Sequence, residues 1–201
     1  MENIVIVDCI RTGLAKSHRG TFNMTRSDDL VAHCIDALLA RNPQLDPGQV
    51  DDVILGCGRQ IGEQSGNVAR HAVALSQLPI TVPATTISRA CSSGLNSIAM
   101  AANQLSSGCA EVMLAGGVES ITGLSRGTPG EFSENPRLMS EKPDMYMAMG
   151  NTAEVVARRY QVTREAQDAY ALSSQQRYAA AEAAGYIKDE IAPMTVQWEK
   201  I

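Results

Sequence analysis

The chain predicts an α/β fold, a sheet with helices on both faces, and three observations carry that prediction. Short apolar runs alternate with segments of helical periodicity along the first 120 residues. The runs are apolar almost throughout rather than alternating, which a sheet covered on both sides requires. Finally, one extended run, Ile80 to Ile87, delivers a single cysteine to a turn of tiny residues that opens a small-residue helix.

The elements follow in order. Asn3–Cys9 is the first strand candidate. The polar start Thr25–Asp29 precedes Leu30, Val31, Cys34, Ile35, Leu38 and Leu39 at helical spacing, and Pro43 with Asp46-Pro47-Gly48 ends that helix. Asp52–Gly56 is the second strand, Asn67–Leu78 the second helix, closed by Pro79, and Ala84–Ser88 the third strand. The third helix spans Leu95–Leu105 and stops at Ser106-Ser107-Gly108; Glu111–Ala115 is the fourth strand. Gly116-Gly117 then either lets the backbone pass close to the cysteine's turn or simply ends the strand with a bend.

After Ser120 the character changes. Residues 122 to 147 hold Gly123, Gly127, Pro129, Gly130, Pro136 and Pro143 without sustained periodicity, and read as a long insertion. Helices are expected at Thr152–Tyr160 and Arg164–Ala184, the second begun by Thr163 and stopped by Gly185. Tyr186–Ile191 and Thr195–Ile201 are short extended candidates. Met139, Met145, Met147 and Met149 suit either an adaptable apolar binding wall or the packing of a loop-rich subdomain.

Composition bounds the function. At 201 residues the chain has ample core, and a net charge of −5 gives no reason to expect nucleic acid or an anionic membrane as a partner. No apolar run reaches the length of a membrane span, and Met1-Glu2-Asn3 lacks a basic leader, so a cytoplasmic protein is expected. Cys9, Cys34, Cys57, Cys91 and Cys109 are odd in number and form no C-x-x-C pair, which argues against a disulfide framework and against a zinc site. Cys9, Cys34 and Cys57 read as small core residues, and Cys109 as structural. His18, His33 and His71 stand apart from one another and from the cysteines, and a satisfied structural role is expected of each.

Cys91 differs. A thiol at the start of a helix faces unpaired N–H groups and the positive end of the dipole, which favour the thiolate, the form that attacks a carbonyl or thioester. The alternative is a buried structural cysteine; the flanking Ser92-Ser93-Gly94 and the strand-turn-helix context favour the nucleophile.

Residues Ile87-Ser88-Arg89-Ala90-Cys91-Ser92-Ser93-Gly94-Leu95-Asn96-Ser97-Ile98 resemble the acyl-enzyme signature of the thiolases, with Ser88 where many members carry Asn. Ile4-Val5-Ile6-Val7-Asp8 with Arg11-Thr12 is similar to the family's opening strand and turn, although Gly13 stands where Pro is usual. Gly66-Asn67-Val68-Ala69-Arg70, Ala115-Gly116-Gly117-Val118-Glu119-Ser120, Met149-Gly150-Asn151-Thr152-Ala153-Glu154, and Arg164-Glu165-Ala166-Gln167-Asp168-Ala169-Tyr170-Ala171 through Glu190-Ile191-Ala192-Pro193 extend the likeness in order.

The resemblance implies a thiolase-like N-terminal core domain at residues 1–119, an incomplete mixed sheet with helices on both faces, and part of the family's loop domain at 120–201. It implies acyl transfer between coenzyme A thioesters through an acyl-cysteine at Cys91, whose backbone N–H would serve an oxyanion hole. Met149 falls where a methionine lines the acyl pocket, beside Ala148, which is His in some short-chain members. No cofactor is implied beyond the coenzyme A thioester substrate, and no metal. The partners implied are acyl-CoA, CoA, a C-terminal thiolase half, and further copies forming a homodimer or homotetramer.

The family also uses a histidine from a Gly-Asn/His-Pro-like motif and a second cysteine from a Cys-x-Gly-Gly-like motif. Neither pattern occurs in residues 1–201, so the isolated chain is expected to turn over little or not at all. Three other readings stay open: a decarboxylating ketosynthase relative, a lipid-transfer-linked thiolase relative, and a non-catalytic truncated product or one chain of a split enzyme. Glu119, Arg89 and Asn151 fall at motif positions where capping or solvent contact explains them as well as binding does.

Overall fold

The computed structural model describes residues 4–126 and 134–200. The chain divides into two compact units, Met1–Gly130 with Glu190–Ile201, and Glu131–Asp189. The sequence places its division between residues 119 and 120. Gly127, Pro129 and Gly130 of the expected insertion lie outside the described residues, as do Met1, Glu2, Asn3 and Ile201.

Three strands form the sheet of the first unit: β1 (Asp52–Gly56), β2 (Ala84–Ile87) and β3 (Met113–Gly117), in the order β2-β1-β3. Both pairings are parallel, with Ile54 opposite Thr85 on one side and Ala115 on the other. Among the described residues the sheet is therefore parallel throughout rather than mixed. Its helices are α1 (Ser27–Arg41), α2 (Val68–Leu75) and α3 (Ser93–Ser106).

Topology dictates where these helices lie. The chain moves from β1 through α2 to β2, then back across β1 through α3 to β3. Two parallel crossovers of the same hand that run in opposite directions must use opposite faces of the sheet. On one face Val53, Leu55 and Cys57 pack with Val31, Ile35 and Leu39 of α1 and Val68, Ala69, Ala72 and Val73 of α2. Each fully buried aliphatic side chain there contributes about 1.5–3 kcal/mol. On the other face Ile54, 1% exposed, and Gly56 lie beneath α3. The covered sheet expected from the apolar strands is thus built.

Local chemistry sets the element ends. Asn67 starts α2 from the left-handed region, φ 70°, with its side chain accepting from the Arg70 N–H. The helix closes at Leu75, three residues before the expected end, where Ser76 turns extended at ψ 179° and its hydroxyl donates to the Val73 carbonyl. Ahead of β3, the Asp51 carboxylate accepts the Val112 and Glu111 N–H groups, which hold it below the usual carboxylate range. The fourth expected strand consequently begins at Met113 rather than Glu111.

Three expected elements are corrected. Residues 4–10 form no strand, and Val5, Ile6 and Val7 are 70–80% exposed, since no ladder partner for them exists among the described residues. A strand needs such a partner to satisfy its backbone. Neither Tyr186–Ile191 nor the described part of Thr195–Ile201 is a strand; a 3-10 turn occupies Lys188–Glu190. Residues 190–200 are anchored in the first unit by a bridge of Ile191 to Arg11 and by paired hydrogen bonds of Asn23 with the Glu199 backbone.

The second unit carries α4 (Pro136–Glu141), α5 (Met149–Arg159) and α6 (Arg164–Ala183). The short α4 is missing from the sequence expectation; Asn135 caps it, accepting from the Arg137 and Leu138 N–H groups at 3.0 Å. The Thr163 hydroxyl caps α6, which ends in a Schellman pattern with Gly185 at φ 80° and the Tyr186 N–H on the Ala181 carbonyl. Among the described residues, no helix is long and apolar enough to cross a membrane.

Candidate active site

In a parallel sheet, ligands bind beyond the carboxyl ends of strands, where neighbouring connections depart to opposite faces. Here that crevice lies between β1 and β2, because the chain leaves β1 toward α2 and β2 toward α3. Cys91 sits in the turn that leaves β2. Its thiol is free and exposed, as a nucleophile requires.

The turn is fastened from several sides. Ala90 adopts φ 46°, a left-handed conformation that a non-glycine residue holds only when its surroundings impose it. The Ser93 hydroxyl accepts from the Arg89 N–H at 2.8 Å and donates to the Ala90 carbonyl at 2.6 Å, while the Ser92 hydroxyl donates to the Arg89 carbonyl at 2.9 Å. The Arg89 guanidinium donates to Asn96 Oδ1 at 2.7 Å, within the first turn of α3. Arg89 therefore acts as a brace on the helix. The small residues around Cys91 are thus a hydrogen-bonded clamp.

Beneath the turn, glycines bring the backbones together. A β-carbon on Gly117 would stand 3.3 Å from the Gly94 α-carbon, and the Ser97 hydroxyl donates to the Gly116 carbonyl at 2.7 Å. Of the two readings of Gly116-Gly117, close approach to the cysteine's turn is the one observed, at Gly117, and both glycines lie within β3.

Sequence reasoning missed the support on the β1 side. The Ser88 hydroxyl donates to the Gly58 carbonyl at 3.1 Å across the crevice. The Gly58 and Arg59 N–H groups donate to Glu119 Oε2 at 2.8 and 3.2 Å, and Gln64 Nε2 donates to Glu119 Oε1 at 2.6 Å. Gln64 is fully buried, an unusual place for an amide and a signal that sequence alone does not give. Cys57, also fully buried, has its thiol pushed up to about 11 by burial and then by the Glu119 charge.

The other singled-out residues fall elsewhere. Met149 belongs to the second unit, opens α5 and is 70% exposed. Asn151 and Met147 line an open cleft of that unit with Glu154, Val155 and Arg158. Cys9 is exposed rather than a core residue, Cys34 is half-buried, and Cys109 is exposed. Among the described residues His33 Nε2 is buried without a hydrogen-bond partner, against the satisfied role expected of it. His18 donates its backbone N–H to the Thr122 hydroxyl at 2.8 Å, and His71 lines a cleft with Arg26, Glu63 and Arg126. Among the described residues, no three His, Cys, Asp or Glu side chains converge as a metal site would need.

Comparison with known proteins fits this frame. The family described as thiolase, N-terminal domain, matches residues 4–201. A 3-ketoacyl-CoA thiolase of Bacillus subtilis (strain 168) is 44% identical over 197 residues, 98% of this chain and 50% of the relative. A 3-ketoacyl-CoA thiolase of Serratia proteamaculans (strain 568) is 41% identical over 195 residues, 97% of this chain and 50% of the relative. A beta-ketoadipyl-CoA thiolase of Acinetobacter baylyi (strain ATCC 33305 / BD413 / ADP1) is 42% identical across 100% of this chain and 53% of its own length. The chain spans about half the length of the curated relatives it matches. With a match that runs almost end to end over a parallel sheet flanked by helices, the chain belongs to the thiolase family.

Proposed function

We propose that this chain supplies the acyl-accepting cysteine of a thiolase, and that Cys91 carries the acyl group. The observation that carries the reading is the free, exposed Cys91 thiol in a clamped turn at the sheet's crevice, in a chain of this family. The relatives' names point to 3-ketoacyl-CoA as the substrate class. In thiolysis the Cys91 thiolate adds to the C3 carbonyl, and the C2–C3 bond breaks. Its electron pair goes to C2, which takes a proton and leaves as acetyl-CoA. The thiolate of a second CoA then attacks the Cys91 thioester, releasing acyl-CoA and restoring the thiolate. Run backwards, the same steps condense acetyl-CoA.

Two proton transfers need partners. The Cys91 thiol must lose its proton and C2 must gain one, and in the family these fall to a histidine and a second cysteine. Among the described residues, none of those whose hydrogen bonds clamp the Cys91 turn is a histidine. The 201-residue polypeptide alone is accordingly expected to turn over slowly or not at all, since a missing base costs roughly 10²–10⁴ in rate. The reading includes a cytoplasmic setting, Met149 against the acyl chain, no cofactor beyond the coenzyme A thioester, and assembly of the complete protein as a homodimer or homotetramer with a C-terminal thiolase half.

The test is acylation of the complete encoded protein by acetyl-CoA, followed by peptide mapping. An acyl group on Cys91, absent from a Cys91→Ala variant, is the expected result. Thiolysis of acetoacetyl-CoA that survives Cys91→Ala would overturn the reading.

A further inference from the structure

We propose that Glu119 is a positioning residue for the Cys91 turn, acting through the Gly58–Arg59 backbone; the inference rests on the acyl-Cys91 reading. The carboxylate is at the surface, yet both of its oxygens are engaged by protein donors. Oε2 takes two successive backbone N–H groups, those of Gly58 and Arg59, and Oε1 takes Gln64 Nε2. Charge-assisted bonds of this kind are about twice as strong as neutral ones.

The Gln64 amide is itself fully used. Its nitrogen also donates to the Arg59 carbonyl at 2.8 Å, and its oxygen accepts from the Ser120 N–H and the Ser27 hydroxyl. It therefore has no donor or acceptor left to rearrange. Together the two side chains lock the loop leaving β1 to the loop leaving β3.

The locked loop is a shelf under the cysteine. The Gly58 carbonyl receives the Ser88 hydroxyl, and a β-carbon on Gly58 would stand 3.3 Å from the Ala90 carbonyl oxygen and 2.8 Å from Glu119 Oε2. Ser88 and Ala90 are the third and first residues before Cys91, and Ala90 is the one at φ 46°. Holding that conformation needs an immobile neighbour, and Glu119 immobilises it. Through that shelf Glu119 sets where the thiol and the Cys91 N–H point.

Single-turnover acylation of the complete protein by acetyl-CoA tests this, with iodoacetamide alkylation of Cys91 at alkaline pH measured alongside. Glu119→Gln keeps the shape but sets an NH2 against a donor. The maximal acylation rate is expected to fall roughly ten- to a hundredfold, the scale of a small misalignment, with the half-saturating acetyl-CoA concentration and the alkylation rate unchanged. Ser88→Ala, which cuts the link between shelf and turn, is expected to act in the same direction and decides the matter should Glu119→Gln fail to fold. A folded Glu119→Gln protein that acylates at the wild-type rate would overturn the proposal and leave the acyl-Cys91 reading standing. Acylation and alkylation falling together would overturn it as well, since general disorder then suffices. No acyl group on wild-type Cys91 would overturn both.

Discussion

Gly56 and Ser93 are in backbone contact: a β-carbon on Gly56 would come within 2.5 Å of the Ser93 carbonyl oxygen. The end of β1 and the first turn of α3 thus meet with no side chain between them, and this contact fixes the height of the Cys91 turn above the sheet. Gly56→Ala is expected to destabilise the protein by about 1–3 kcal/mol or more, the cost of overpacking against backbone that cannot yield. Gly116→Ala is the control, because its β-carbon would meet only Leu55 Cδ1 at 3.9 Å. Urea midpoints should separate the two variants clearly; equal midpoints would mean that α3 shifts freely.

Asn67 joins α2 to β2. Its side chain donates to the Ala84 carbonyl at 3.0 Å, accepts the Thr86 hydroxyl at 2.7 Å and caps α2 from φ 70°. Asn67→Ala should cost about 1–3 kcal/mol, combining a lost cap with unpaired groups beside the strand. Asn67→Gly should recover only the backbone part, since it relieves the left-handed strain but restores no hydrogen bond. Denaturant unfolding of both variants checks the order, and an alanine variant as stable as wild type would contradict it.

Much of this was legible in the residues. The strand-turn-helix around Cys91, the helix begun by Thr163 and stopped by Gly185, and the strand at Asp52–Gly56 follow from local patterns. What escaped depends on distant pairing. The run Ile4–Cys9 has strand composition, but composition supplies no neighbouring edge. Likewise Gln64 and Glu119 are 55 residues apart, and only the fold makes one the partner of the other. The α4 helix was hidden because its Asn135-Pro136 start sits within a stretch that lacks helical periodicity.

The five cysteines should separate by accessibility. Cys9, Cys91 and Cys109 are exposed and should react with a thiol reagent in the native protein, whereas Cys57 is fully buried and should react only as the sheet opens. Mass mapping after brief labelling checks this. Rapid native-state modification of Cys57 would mean that the face packed against α1 and α2 opens readily.

Cys57 also gives the fold an alkaline limit. Burial first, and the Glu119 charge second, raise its thiol from 9.0 to about 11. Below pH 9.0 both the folded and unfolded chains keep this proton, and the stabilisation is fully present. Between 9.0 and about 11 the unfolded chain releases it while the folded chain does not, so unfolding is increasingly favoured as pH rises. Integrated across that window, the loss is on the order of 2–3 kcal/mol. Cys57→Ala removes the titrating group, so its stability should fall less steeply over the same range, whatever its stability at neutral pH. Denaturant titrations at a series of alkaline pH values give both slopes. Parallel curves for the two proteins would show that Cys57 ionises as easily folded as unfolded, and that the β1 end is wetter than its packing indicates.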